Sequence, residues 1–209
     1  MAAFFISIDG MDGCGKSTQV RMLVEWFDRL NQPVLSVRDP GGTLLGEKLR
    51  EILLHRVEIP LCSTAEMLLY MASRSQLVDS VILPSLQDHC HVISDRYLLA
   101  NVVYQGIAGG IGADQVWSIG QLAIQGRMPD LTFVLDLEPT VALARIGGNF
   151  DRLESRGVGY MQKVRQGFIS EAKKLDDHVV VLDASEQPEL VHQRITQQIL
   201  SRLFARDIA

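Results

Sequence analysis

The sequence predicts an α/β fold, a five-stranded parallel sheet with helices on both faces, and three observations carry that expectation. Five strand-length apolar runs rich in β-branched residues alternate with helix-period segments, the order that builds parallel sheets. Polar residues gather at the carboxyl ends of those runs, as Asp9, Arg38 with Asp39, Asp95 and Asp136, where open parallel sheets bind ligands. A chain of 209 residues with 47% hydrophobic content suits one well-buried core, so residues 1–209 are expected to form a single domain.

The first run is Ala3 to Ile8 in "MAAFFISIDG". No basic region precedes it and no cleavage-like segment follows it, so it reads as a buried strand and not as a targeting segment. The stretch "IDGMDGCGKSTQ" comes next, and Gly10, Gly15, Lys16 and Ser17 fit the phosphate-loop pattern GxxxxGK[ST] between a strand and a helix. Glycines let consecutive N–H groups turn inward on phosphate oxygens, and the helix N-terminus adds partial positive charge. The residues expected to bind ATP are therefore Gly10, Met11, Asp12, Gly13, Cys14, Gly15, Lys16, Ser17 and Thr18. Lys16 is the catalytic cation for the β and γ phosphates, and Ser17 is an expected Mg²⁺ ligand. Cys14 has two readings: a thiol acidified by Lys16 and the helix dipole, or a small filler.

The helical segment Lys16 to Leu30 leads to the strand Pro33 to Arg38, a Pro-Gly-Gly turn, and a helix from Thr43 to Leu54. That turn is a plain connection or a pocket wall bringing Arg50 and Arg38 towards an anion. A long helix is expected over Ala65 to Gln87, where Tyr70 and Arg74, four apart, share one face. An aromatic for stacking and a guanidinium would then point together, although a snorkelling Arg beside a core Tyr gives the same spacing.

The strand His91 to Asp95 runs into "DRYLLANVVYQG". Asp95 at the strand end is a second expected Mg²⁺ ligand and Arg96 beside it is expected to grip a phosphate bidentately, both as catalytic residues, although an isolated Asp-Arg pair is as readily a surface ion pair. Asn101, Tyr104 and Gln105 follow within one short element. The rest of the chain supplies helices Asp114 to Gln125, Thr140 to Arg145, Leu153 to Leu175 and Glu189 to Ala205, with strands Leu131 to Leu137 and His178 to Asp183. The segments 106–114 and 147–152 are the most loop-like insertions, suited to moving over a site.

Composition narrows the function classes. A net charge of −5 argues against a nucleic-acid polymer as partner, since that affinity rests on clustered Lys and Arg. No apolar run approaches a membrane span. Cys14, Cys62 and Cys90 have no metal-ligand spacing and suit a reducing cytoplasm. The five histidines form no triad or metal pair.

Taken in order, "GMDGCGKST", "DPGGT", the aromatic-x-x-x-Arg helix, "DRY" with "YQG", "PDLTFVLDL" and "DRLESRG" with "VRQGF" resemble the thymidylate kinase family, which phosphorylates dTMP. The resemblance covers most of the chain and implies a P-loop NTPase fold with a short lid at about residues 145–157. It also implies that dTMP is converted to dTDP with Mg²⁺-ATP for dTTP synthesis, by a homodimer in the cytoplasm. Residue by residue, Asp12 matches the carboxylate near the substrate 3′-hydroxyl, and Tyr70 the aromatic that stacks on thymine. Arg74 matches the arginine that reaches the base and Arg96 the one that holds the dTMP phosphate. Asn101, Tyr104 and Gln105 match the segment beside the nucleoside, with Tyr104 placed to crowd a ribose 2′-hydroxyl.

The lid departs from the pattern. Relatives lacking a basic residue at the Cys14 position usually carry an arginine-rich lid, whereas this chain offers only Arg145, Arg152 and Arg156. Arg152 and Arg145 are the expected catalytic lid residues. Ala100 also replaces the family's usual hydroxyl residue. Two alternatives follow: a kinase for another deoxynucleoside or pyrimidine monophosphate, or a catalytically weak nucleotide-binding module.

Overall fold

The computed structural model describes residues 3–56, 58–147 and 157–204. Strand β1 (Phe5–Gly10) is buried along its whole length, and the phosphate loop then opens helix α1 (Lys16–Arg29). Strand β2 (Val34–Arg38) and the glycine turn lead to α2 (Leu44–Arg50). The Thr43 hydroxyl caps α2 by accepting from the Gly46 amide at 2.9 Å, and a wide π turn, Glu51–His55, prolongs it.

The single helix expected over Ala65 to Gln87 is three pieces: α3 (Ser63–Leu77), a π turn (Val78–Ile82) and α4 (Leu83–Gln87). Pro84 explains the division. It has no amide hydrogen for an i→i−4 bond and its ring crowds the carbonyl one turn back, which a widened turn relieves. After β3 (His91–Asp95) the chain winds into α5 (Leu98–Asn101) and a π segment, Val102–Ala108. Sequence periodicity assigns no helix there, because nearly every residue in it is buried and no polar face marks the period. Helix α6 (Ala113–Ala123), β4 (Leu131–Asp136), α7 (Pro139–Ile146), α8 (Val158–Leu175), β5 (Val179–Asp183) and α9 (Pro188–Arg202) complete the described chain.

All five strands are parallel in the order β2-β3-β1-β4-β5, the sheet the sequence predicts. The chain leaves β1 in one direction and β3 in the other, so the order reverses at this central pair, where a crevice opens beyond the carboxyl ends. Register then sets the neighbours: Ile8 lies opposite Asp95, Arg38 also opposite Asp95, and Gly10 opposite Leu135.

Period-two alternation in β1 feeds two cores. Ile6 and Ile8 join Leu23, Phe27, Ile93 and Phe133 with Ile195 and Ile199 of α9. Phe5 joins Met67, Met71, Leu77, Val92 and Tyr97. Ser7 and Asp9, in phase with Phe5, are buried polar residues on that second side.

Candidate active site

The phosphate loop is shaped by two close approaches. A Cβ on Gly10 would lie 2.6 Å from the Leu135 carbonyl oxygen, and one on Gly13 would lie 2.2 Å from that of Ala142, so side chains at either position would displace β4 or α7. Lys16 is 7% exposed, and its Nζ donates to the Met11 carbonyl at 2.7 Å and to Asp12 Oδ1 at 3.4 Å. Its charge is thus pre-aimed into the loop. Met11 itself packs in the core and contributes through its backbone. The Cys14 thiol is buried, which pushes its pKa up, so its environment is that of the small filler.

The loop opens onto a cleft of about 680 Å³ whose lining includes residues 12–19, Arg38, Asp95, Arg145 and residues 184–188. Ser17 Oγ donates to Asp95 Oδ2 at 2.9 Å, which puts a hydroxyl and a carboxylate oxygen side by side at the cleft. Such a pair of hard oxygens fits a Mg²⁺ that takes its other ligands from phosphate and water. Among the described residues no group of three or more His, Cys, Asp and Glu forms a protein-only metal site.

A smaller recess of about 70 Å³ adjoins, with Tyr70, Arg74, Ala100, Asn101, Tyr104 and Gln105 in its wall. Asp12, Asp39, Arg50 and Arg96 line both spaces. Arg96 is the hinge of the arrangement. It donates to the Gly10 carbonyl at 2.9 Å and to Asp12 Oδ1 at 2.6 Å, and its guanidinium lies 5.1 Å from the centre of the Tyr104 ring. Burial opposes ionisation of Asp12, yet Arg96 and then Lys16 hold its carboxyl well below the usual range. Burial lifts the Tyr104 phenol well above its ordinary value, so it stays a neutral hydroxyl.

Arg74 is 2% exposed. Its Nε donates to Asp39 Oδ2 at 2.5 Å and its Nη1 to Asn101 Oδ1 at 2.9 Å. Asn101 then donates to Gln105 Oε1 at 2.6 Å, and Gln105 to Glu66 Oε1 at 2.9 Å. Because a guanidinium only donates and a carboxylate only accepts, the two amides between them have one orientation.

Nearly all the residues singled out in the sequence therefore meet at these two adjoining spaces. Arg50 donates to the Pro40 carbonyl at 2.9 Å, whereas Arg38 is half-exposed and paired with Glu47. Arg145 reaches the Ala184 carbonyl at 3.4 Å and faces the larger cleft. Arg152, Arg156 and most of the expected lid lie outside the described residues. Sequence reasoning assigned no role to Asp9, to Asp39 as the partner of Arg74, or to Gln19, whose amide donates to the Pro188 carbonyl at 2.9 Å and ties α1 to α9. It also passed over Arg165, whose bidentate bonds to Asp136 at 2.7 and 2.9 Å bind α8 to the end of β4. The available signal was the strand-end position of these carboxylates.

The family model described as thymidylate kinase matches residues 8–195. The chain belongs to the thymidylate kinase family. Thymidylate kinase from Rhodopirellula baltica is 45% identical over 190 residues, 91% of this chain and 77% of that protein. Thymidylate kinase from Caldanaerobacter subterraneus subsp. tengcongensis is 39% identical over 200 residues, 95% of this chain and 96% of its own. The crystal structure of thymidylate kinase from Ehrlichia chaffeensis superposes with a TM-score of 0.78 at 29% identity, covering 94% of this chain and 98% of that one. The fold is accordingly the P-loop NTPase fold of thymidylate kinases, and the chain is an ATP-dependent nucleoside monophosphate kinase.

Proposed function

We propose that the chain transfers the γ-phosphoryl group of ATP to the phosphate of dTMP, giving ADP and dTDP for dTTP synthesis. Family membership favours this acceptor over another pyrimidine monophosphate or a deoxynucleoside. The observation that carries the reading is the shared wall: Arg96, Asp12, Arg50 and Asp39 belong at once to the phosphate-loop cleft and to the Tyr70–Arg74 recess.

In this reading ATP lies along residues 10–18, with its base towards residues 184–188. The acceptor occupies the recess: Tyr70 stacks on the pyrimidine, Arg74 with Asn101 and Gln105 meets its edge, and Tyr104 crowds the 2′ position. Arg96 and Arg50 hold the acceptor phosphate, with Arg38 as an outer cation. An acceptor oxygen attacks the γ-phosphorus in line. The bond to the ADP oxygen breaks and its electron pair leaves with ADP, so no protein atom is covalently involved. Lys16 counters charge on the moving group, and Arg145 and Arg152 are its lid counterparts. Ser17 and Asp95 would hold Mg²⁺, which would supply positive charge against the phosphates.

We further propose a cytoplasmic homodimer. Leu68 on α3, with Ile119 and Leu122 on the neighbouring α6, is exposed apolar surface that a second copy would cover. The three cysteines are free, in keeping with a reducing compartment. No helix of the described residues is long and apolar enough to cross a membrane.

The test is ADP release by the purified protein with Mg²⁺-ATP and each of dTMP, dUMP, dCMP, UMP and thymidine, beside an acceptor-free control. ADP release that depends on dTMP and exceeds that with the other acceptors is expected. Preference for another acceptor, or dTMP binding without turnover, overturns the reading.

A further inference from the structure

Asp9 is fully buried at the penultimate position of β1, just before the phosphate loop, and phosphoryl transfer as described gives it no task. Its Oδ1 accepts the Tyr97 amide at 3.4 Å. Its Oδ2 accepts the Ser7 hydroxyl at 3.1 Å, and that hydroxyl lies 2.9 Å from Thr132 Oγ1. A carboxylate on a β-strand inside a packed sheet is costly to bury, and an apolar residue would serve packing better.

The turn it touches is unusual. Arg96 has φ +69°, in the left-handed region that a long side chain rarely adopts. Three bonds around the turn hold it there. The Arg96 amide donates to the Ile8 carbonyl at 3.0 Å, the Ser94 hydroxyl donates to the Arg96 carbonyl at 2.5 Å, and the Tyr97 amide donates to Asp9. The turn aims the Arg96 guanidinium back across β1 at Gly10 and Asp12. The charged groups facing Asp9 are Arg96, the stronger influence, and Lys16 from the start of α1.

We propose that Asp9 is a positioning residue for Arg96: its buried carboxylate pins the Tyr97 amide and attracts the guanidinium, fixing the turn that presents Arg96 to the acceptor phosphate. The inference rests on the reading that Arg96 holds that phosphate. Asp9 lines neither the cleft nor the recess, so it acts through Arg96, the stronger of the two charges facing it.

A double-mutant cycle on the full chain tests it, with KM for dTMP, KM for ATP and kcat measured for wild type, Asp9→Asn, Arg96→Ala and the double variant. Asp9→Asn keeps an acceptor for the Tyr97 amide and removes the charge. It is expected to raise KM for dTMP about tenfold, the scale of one charge-assisted contact, and to change KM for ATP by less. In the Arg96→Ala background the same substitution is expected to change KM for dTMP less than about twofold, because the group it positions is gone. Ser7→Ala, which removes one donor to Asp9, is the second probe and should shift KM for dTMP in the same direction by less. Equal effects of Asp9→Asn with and without Arg96, or equal effects on both substrates, overturn the positioning role while leaving the kinase reading intact. A wild-type protein without dTMP-dependent turnover overturns that reading and the inference with it.

Discussion

Asp9→Asn is also expected to stabilise the protein while impairing it. Burial raises the Asp9 pKa from 3.8 to about 6, against the pull of Arg96, the Ser7 and Tyr97 hydrogen bonds, and Lys16. A shift of about two units corresponds to ~3 kcal/mol, at ~1.4 kcal/mol per unit. The folded carboxyl keeps its proton to higher pH than the unfolded one, so the folded state binds more protons between about pH 4 and pH 6. Stability therefore falls as pH rises through that window, and above it the full cost of the ionised group persists. Asparagine carries no such cost, and Ser7 Oγ remains within reach to accept from its amide while donating to Thr132. The variant should exceed wild type by up to ~3 kcal/mol at pH 7.5, roughly 6–12 °C in Tm for a chain of this size, and the gap should close towards pH 4. Urea midpoints for both proteins from pH 4 to pH 8 measure this, and the other carboxylates cancel in the difference. A gap independent of pH, or an Asn variant less stable at pH 7.5, refutes the argument.

Three further outcomes follow from the site. Arg74→Ala should cost on the order of 3–5 kcal/mol in denaturant unfolding, because it strands the buried Asp39 carboxylate; a loss below about 1 kcal/mol would mean Asp39 is protonated once alone. Lys16→Ala should lower kcat by at least ~10²–10³ with an unchanged far-ultraviolet circular dichroism spectrum, and near-normal turnover would remove Lys16 from the mechanism. Ser17→Ala should raise the Mg²⁺ concentration for half-maximal rate by ~10–100-fold, and an unchanged Mg²⁺ dependence would place the ion elsewhere.

The phosphate loop was legible from sequence because its chemistry is contiguous: four fixed residues within eight positions, flanked by a strand and a helix, suffice to form it. The three central strands, β1, β3 and β4, were legible for a related reason, since a strand buried on both faces writes its burial as an unbroken apolar run, while the partly exposed edge strands β2 and β5 were legible through their β-branched residues. The π turn ahead of Pro84 and the helix through Leu98–Ala108 were not, because one reflects a bond between residues five apart and the other lacks a polar face.

The side chains singled out in the sequence line two adjoining spaces, yet their partners were hidden. Arg74 meets Asp39 across 35 residues and Asn101 across 27, and nothing local to "YMASR" reveals that its guanidinium is spoken for on two sides. Asp9 in "SIDG" looks like any polar strand end until β3 and β4 close around it. The sequence by itself determined which chemical groups this protein carries and the order of its elements, because those depend on neighbours along the chain. Only the tertiary structure decided which groups are buried, which are paired and which share a wall between two pockets, because burial and pairing belong to contacts between segments far apart in sequence, and those set the cost and direction of every charge in the site.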